Sequence, residues 1–206
     1  MRIPAFITLS FVALLSLSSA IPTAPSPKLD VEAALASPIT ITGSMFPGGP
    51  VLNLTGTIQD LFPQIKEKYP NWDPQADITP NTKPSIGARY LQGRPVCFAW
   101  SGYPADRGII AYVVAKSLIN LGNLGCYARG CQAVGCAANS GVFLCPSSGS
   151  ITVPCKRIGE TAFEIAKACA RVESRPNFFM IWTEGNWWDT NGFNIAVAGA
   201  NCPGGL

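Results

Sequence analysis

The chain has 206 residues, a mass of 21.8 kDa and a net charge of +3, which indicates one domain of ordinary size with appendages. Histidine is absent, and this excludes Ser-His-Asp and Cys-His nucleophilic machinery, His-ligated zinc and a His-based ribonuclease. The small positive charge gives no reason to expect a nucleic-acid partner.

Residues 1–20 have the features of a secretory signal peptide. Arg2 supplies the positive start, residues 6–17 are largely apolar, and the small residues 18–20 suit a signal peptidase. A membrane anchor would need about 20 apolar residues, which is more than this stretch contains. We therefore expect a secreted, extracellular chain that begins near Ile21.

Residues 21–85 differ in composition from the rest of the chain. They contain 11 of the 18 prolines, no cysteine and a formal charge of −2, with one candidate helix at 56–69 that Pro63 would kink or end. We interpret them as a Pro-rich leader: a spacer, a pro-segment or an arm packed on the domain. The sequon at Asn53 is a candidate glycosylation site, although an unmodified asparagine fits the sequence nearly as well.

Residues 86–206 hold every cysteine and a formal charge of +4. In an exported chain an even number of cysteines predicts disulfide bonds, here four, with the pairing left open among 105 possibilities. Zinc bound by Cys126, Cys131 and Cys136 is the alternative, but the lack of histidine disfavours it, and we expect no metal and no cofactor. The predicted disulfide cysteines are Cys97, Cys126, Cys131, Cys136, Cys145, Cys155, Cys169 and Cys202.

The cysteine-rich domain alternates strand-like and helix-like segments, because apolar residues recur at helical spacing in two of them. In chain order we predict a strand at 96–100, a helix at 106–121, a stapled loop at 122–136, strands at 142–145 and 151–153, and a helix at 154–171. Cys155 and Cys169 would lie about 21 Å apart on the second helix, beyond disulfide reach. Each must bond another cysteine, which would tie both helix ends to the sheet.

Two further strands are predicted at 178–182 and 193–198, where the second run alternates apolar and polar or small residues as a strand with one buried face does. A turn at Asn191-Gly192 favours an antiparallel pair between them. The predicted fold class is therefore α+β: a small disulfide-stapled α/β sandwich with two helices packed on a four- to five-stranded, mainly antiparallel sheet.

This order of elements, with cysteines at the ends of helices and strands, resembles the killer-toxin-like small secreted proteins of fungi. That group includes viral killer toxins of smuts and necrosis-inducing extracellular effectors. The resemblance covers about residues 95–202 and not the Pro-rich leader. It implies a compact α/β sandwich and a toxin or effector role, in some members on membrane or ion-channel targets. No catalytic or binding residue carries over from it.

The segment 184–189 contains the strongest candidate site residues. Trp187, Trp188 and Asp189 could form a binding surface for a sugar or a protein, and Glu184 with Asp189 could serve a glycosidase, whereas simple packing of the tryptophans is the alternative. Glu160 and Glu164 lie one turn apart on a predicted helix, where an exposed face with ion pairs explains them without catalysis.

These observations predict a non-enzymatic, monomeric, secreted toxin- or effector-like protein. Its expected partner is an extracellular protein, a membrane component or a polysaccharide, with no nucleic acid and no cofactor. The alternatives are a carbohydrate-binding cell-wall protein and a small glycoside hydrolase.

Overall fold

The computed structural model describes residues 29–56, 58–76, 91–98, 103–175 and 178–202. These residues form an α+β fold with four disulfide bonds, which confirms the predicted fold class, although the strands form three sheets and not one. The predicted signal peptide and the predicted mature start at Ile21 lie outside the described residues. None of the helices in these ranges has both the length and the apolar character that a bilayer-spanning helix needs.

The described helices include both that were predicted in the cysteine-rich domain. The first of these two begins after Asp106, whose side chain accepts a hydrogen bond from the Ile109 backbone, and it contains one π-helical turn, Ile110–Val114. The helix in the Pro-rich segment continues through Pro63 and does not end there. The helices are α1 (Val31–Ala36), α2 (Ile58–Lys68), α3 (Arg107–Ile109), α4 (Ala115–Asn120) and α5 (Cys155–Ala168).

All strand pairs in the described residues are antiparallel. The strands are β1 (Ile39–Gly43), β2 (Leu52–Gly56), β3 (Val96–Cys97), β4 (Ala105–Asp106), β5 (Gly125–Arg129), β6 (Gln132–Ala137), β7 (Ser140–Pro146), β8 (Ser150–Pro154), β9 (Ala170–Arg175), β10 (Phe178–Thr183), β11 (Gly185–Asp189) and β12 (Phe193–Gly199). They form sheets in the orders β2-β1-β5-β8, β3-β11-β12-β7-β6 and β4-β10-β9.

The described part of the Pro-rich segment supplies strands to the first sheet. β1 pairs with β5, and Ile39 and Ile41 are fully buried in the same core as Leu61 of α2. The described part of this segment is therefore packed on the cysteine-rich domain. The predicted loop at 122–136 is wrong, because most of it forms β5 and β6. Despite the many glycines, pairing with β1, β8 and β7 gives the backbone N–H and C=O groups of these strands their hydrogen-bond partners.

The five-stranded sheet carries α5 on one face. Phe193, Ile195 and Val197 of β12 belong to the main core on this face. The prediction of a single buried face is wrong, since Asn194, Ala196 and Ala198 are buried as well. The reason is a second apolar cluster on the other face of the sheet, to which Ala34 of α1 and Cys136 of β6 contribute.

The predicted pairing of 178–182 with 193–198 is also wrong. β12 pairs with β11 and β7, whereas β10 pairs with β9 and β4. The Asn191-Gly192 turn, with Gly192 at φ 80°, joins β11 to β12, so the segment predicted as the connection is itself a strand. Residues 170 and 171, predicted as the end of a helix, begin β9.

The disulfides join Cys97 to Cys169, Cys126 to Cys155, Cys131 to Cys145 and Cys136 to Cys202. Two of these bonds tie the start and the end of α5 to β5 and β3, as the helix geometry predicts. The three cysteines of the zinc alternative lie in three different disulfides, so they do not form one ligand set.

Candidate functional site

Trp187 and Trp188 lie in strand β11 and not in a loop, so they do not form one aromatic surface. Successive side chains of a strand point to opposite faces of the sheet. Trp187 packs on the main core beneath α5. Trp188 lies half-buried on the other face. It is opposite Asn194 of β12 and two residues after Asn186 of β11, and both asparagines are buried. The two indoles therefore lie on opposite faces of the sheet.

Asp189 is 2% exposed and forms an ion pair with the guanidinium of Arg157 on α5. It also accepts a hydrogen bond from the Asn191 backbone at 2.9 Å, while Arg157 lies 5.5 Å from the centre of the Phe193 ring. These contacts fasten α5 to the β11–β12 turn. Both oxygens of this buried carboxylate therefore have partners within the chain.

Glu184 is buried at the opposite end of β11 from Asp189. Glu184 and Asp189 are five positions apart, which is about 16 Å in an extended chain, and the odd spacing puts the side chains on opposite faces. A glycosidase places its two carboxyl groups about 5–10 Å apart across one bond. The structure does not bring Glu184 and Asp189 together in that way.

Glu160 does not lie on an exposed helix face, because it is 7% exposed and α5 packs with that side inward. Burial raises the pKa of its carboxyl, and Lys156, 3.9 Å away, opposes the rise. α4 approaches α5 closely at the neighbouring Gly159, where a Cβ would lie 2.5 Å from the Ala115 carbonyl oxygen.

A groove of about 1320 Å³ lies elsewhere, between the β9–β10 hairpin, the beginning of α1 and the end of β12. Its lining combines four carboxylates with aromatic and apolar side chains. The acidic and aromatic residues of the lining are Asp30, Glu32, Asp106, Glu173, Trp182 and Tyr103.

Hydrogen bonds hold three of these carboxylates in place. Asp30 accepts from the Ala33 backbone at 3.0 Å as the N-cap of α1, and Asp106 accepts from the Ile109 backbone at 3.0 Å as the N-cap of α3. Glu173 accepts from the Trp182 indole at 2.7 Å. Because a carboxylate has about four acceptor positions, the capping bond leaves Asp30 and Asp106 able to accept from a further donor.

The β9–β10 hairpin has a second, exposed face. Val172 pairs with Ile181, and Phe179 lies two residues before Ile181, so the three side chains share one face. Val172 is 63% exposed, Ile181 37% and Phe179 77%. Among the described strands only Trp182 and Thr183 of the hairpin pair with β4, so the distal part projects from the body. We call these three residues the hairpin apolar face.

Sequence reasoning missed both the groove and the hairpin apolar face. The four groove carboxylates are scattered from residue 30 to residue 173 and share no motif. The run 178–182 has the composition of a buried strand, so its hydrophobicity gave no sign of exposure. Comparisons of the chain with protein-family models, with curated proteins and with solved structures found no match.

Proposed function

We propose that this is a secreted, toxin- or effector-like protein that acts by binding a target at a cell surface and not by catalysis. The observation that carries the proposal is the hairpin apolar face of Val172, Phe179 and Ile181. Single exposed apolar residues are ordinary, but three large ones grouped on one face are typical of a contact surface.

The scaffold behind the hairpin suits this role. Cys169 immediately precedes β9, and its bond to Cys97 anchors the base of the hairpin to the five-stranded sheet. A surface presented from a rigid support loses less conformational entropy on binding. Four disulfides in a chain of this size are also compatible with life outside the cell, where thiols are oxidised.

The proposal is tested by measuring binding of fluorescently labelled protein to intact yeast cells and to plant protoplasts. We expect the variant Val172→Thr/Phe179→Ser/Ile181→Thr to bind at least tenfold more weakly, since anchor side chains in a contact are worth more than about 1 kcal/mol each. The control is Val51→Thr/Tyr112→Ser, which changes exposed apolar residues away from the hairpin. Circular dichroism checks that both variants remain folded.

Saturable binding that only the hairpin variant loses would support the proposal. The absence of binding by the native protein to either cell type, or equal binding by the hairpin variant, would contradict it. Binding to vesicles of phosphatidylcholine with phosphatidylserine then distinguishes a lipid target from a protein target, because the vesicles contain lipids and no protein.

A further inference from the structure

We propose that the groove is a binding site for a cationic peptide segment in which Lys or Arg side chains alternate with apolar ones. This inference goes beyond the proposed function, because it assigns a second site with its own ligand. The groove lies on the face of the hairpin opposite the hairpin apolar face, since Glu173, Met180 and Trp182 alternate with Val172, Phe179 and Ile181.

The charge of the groove favours a cation. Asp30, Glu32, Asp106 and Glu173 bring four formal negative charges, and no Lys or Arg is found among the described residues that line the groove. Arg171 stands opposite Trp182 in the hairpin and Arg107 follows Asp106 in the chain, but neither side chain lines the groove. Complementary charge of this kind steers a ligand and selects against anionic competitors.

The aromatic and apolar lining favours a ligand that is more than a charge. Trp182 is held by its 2.7 Å bond to Glu173, and an indole face attracts ammonium and guanidinium groups. Ile109 and Met180 supply apolar contact, and Tyr103 is 86% exposed at the rim. A Lys or Arg side chain offers both an aliphatic stem and a cationic end.

The size of the groove, and the origin of its carboxylates from α1, β4 and β9, indicate a peptide and not a metal ion or a small cation. The groove exceeds the range of about 300–1,000 Å³ that is usual for small-molecule sites. Within the described residues, no three acidic or cysteine side chains come together in a way that could hold a metal ion. The charges are instead distributed over the walls, as an extended segment with several cationic side chains requires.

The walls of the groove are held before any ligand arrives. The Gly199 backbone donates a 2.6 Å hydrogen bond to the Tyr103 carbonyl, and a Cβ at Gly199 would lie 2.5 Å from that oxygen. The Cys136–Cys202 disulfide ties the chain just beyond β12 to β6, close to the 138–140 side of the groove. Because these segments are already ordered, binding costs less entropy.

The test is isothermal titration of the full chain with an octapeptide of alternating Lys and Leu, and with its alternating Glu and Leu counterpart. We expect binding of the Lys peptide only, weakened as the salt is raised from about 50 mM to about 200 mM. The variant Glu32→Gln/Glu173→Gln should weaken it about tenfold, which corresponds to the removal of two partly exposed charge pairs. Glutamine at 173 retains an acceptor for the Trp182 indole.

The matched control is Glu67→Gln/Glu164→Gln, which removes two negative charges on α2 and α5, outside the groove, and should leave the affinity unchanged. Failure of the Lys peptide to bind, equal affinity for both peptides, or an unchanged affinity in the Glu32/Glu173 variant would overturn the inference. The Val172/Phe179/Ile181 variant should bind the peptide as the native chain does. Loss of cell binding and loss of peptide binding are therefore distinguishable.

Discussion

The layer formed by α5 on the five-stranded sheet and the β9–β10 hairpin come from adjacent stretches of chain, yet they are stabilised differently. On α5 the side chains of Ile158, Ala162 and Ile165 are fully buried, and both helix ends carry disulfides. The hairpin has cross-strand hydrogen bonds and one anchored base, while its apolar face is exposed.

This difference shows that an apolar strand is not by itself evidence of a core. β10 and β12 are both rich in large or apolar residues, but β12 lies in the sheet between β11 and β7, under α5. Among the described strands, most of β10 pairs with β9 alone. Burial depends on what packs against a strand. We therefore expect substitutions in the layer to change stability and substitutions on the hairpin apolar face to change binding.

Of three changes to this comparison, the largest effect is expected from removing the Cys126–Cys155 disulfide with paired alanines. This bond closes a loop with a sequence separation of 29, and its loss should lower the free energy of unfolding by about 3–4 kcal/mol because the unfolded chain gains entropy. Denaturant unfolding measures the change. The Cys131–Cys145 pair, with a separation of 14, should cost about 0.6 kcal/mol less. Equal stability of native chain and variant would show that the layer does not depend on its covalent ties.

A smaller effect on stability than the loss of the disulfide is expected from Val142→Thr. The same substitution in the hairpin, Val172→Thr, is its comparison. Val142 is fully buried in β7, so its variant buries a hydroxyl and should lose about 1–3 kcal/mol of unfolding free energy. Val172 is exposed on the hairpin, where the change should stay within about 0.5 kcal/mol. Thermal unfolding monitored by circular dichroism compares them, and equal losses would mean that the hairpin belongs to the core.

The smallest effect concerns the pH dependence of stability at Glu160. Burial raises the pKa of this carboxyl in the folded state above its ordinary value of 4.5, so the folded state holds the proton more tightly than the unfolded state. Stability contributed by this group is therefore present below pH 4.5 and declines as the pH rises through the folded-state pKa. Glu160→Gln should be more stable than the native chain at neutral pH, with the difference closing below pH 4.5.

Denaturant unfolding from about pH 3 to about pH 7 checks this prediction. Glu164→Gln serves as the control because it removes the other carboxylate of the same helix. A stability difference between Glu160→Gln and the native chain that does not vary with pH would contradict the role of burial.

Local patterns predicted α5 and the helix after Asp106 well, because helical spacing and capping act over a few residues. Local patterns failed at residues 122–136 and 185–189, where the strands depend on partners distant in the chain: β5 pairs with β1, and β11 pairs with β3. The positions of Trp187 and Trp188 depend on the same strand pairing. Adjacent residues in a loop can share a surface, whereas in β11 they face opposite sides.

The sequence alone predicts an α+β chain with disulfides. It also predicts that Cys155 and Cys169 do not bond each other, since helical rise and the reach of a disulfide are local quantities. Only the tertiary structure decided which cysteines pair, that Phe179 and Ile181 are exposed while Ile195 and Val197 are buried, and that Asp30 and Glu173 face one groove. Each of these outcomes depends on which distant segments come together, and the burial, the charge and the bonding of a side chain follow from those neighbours.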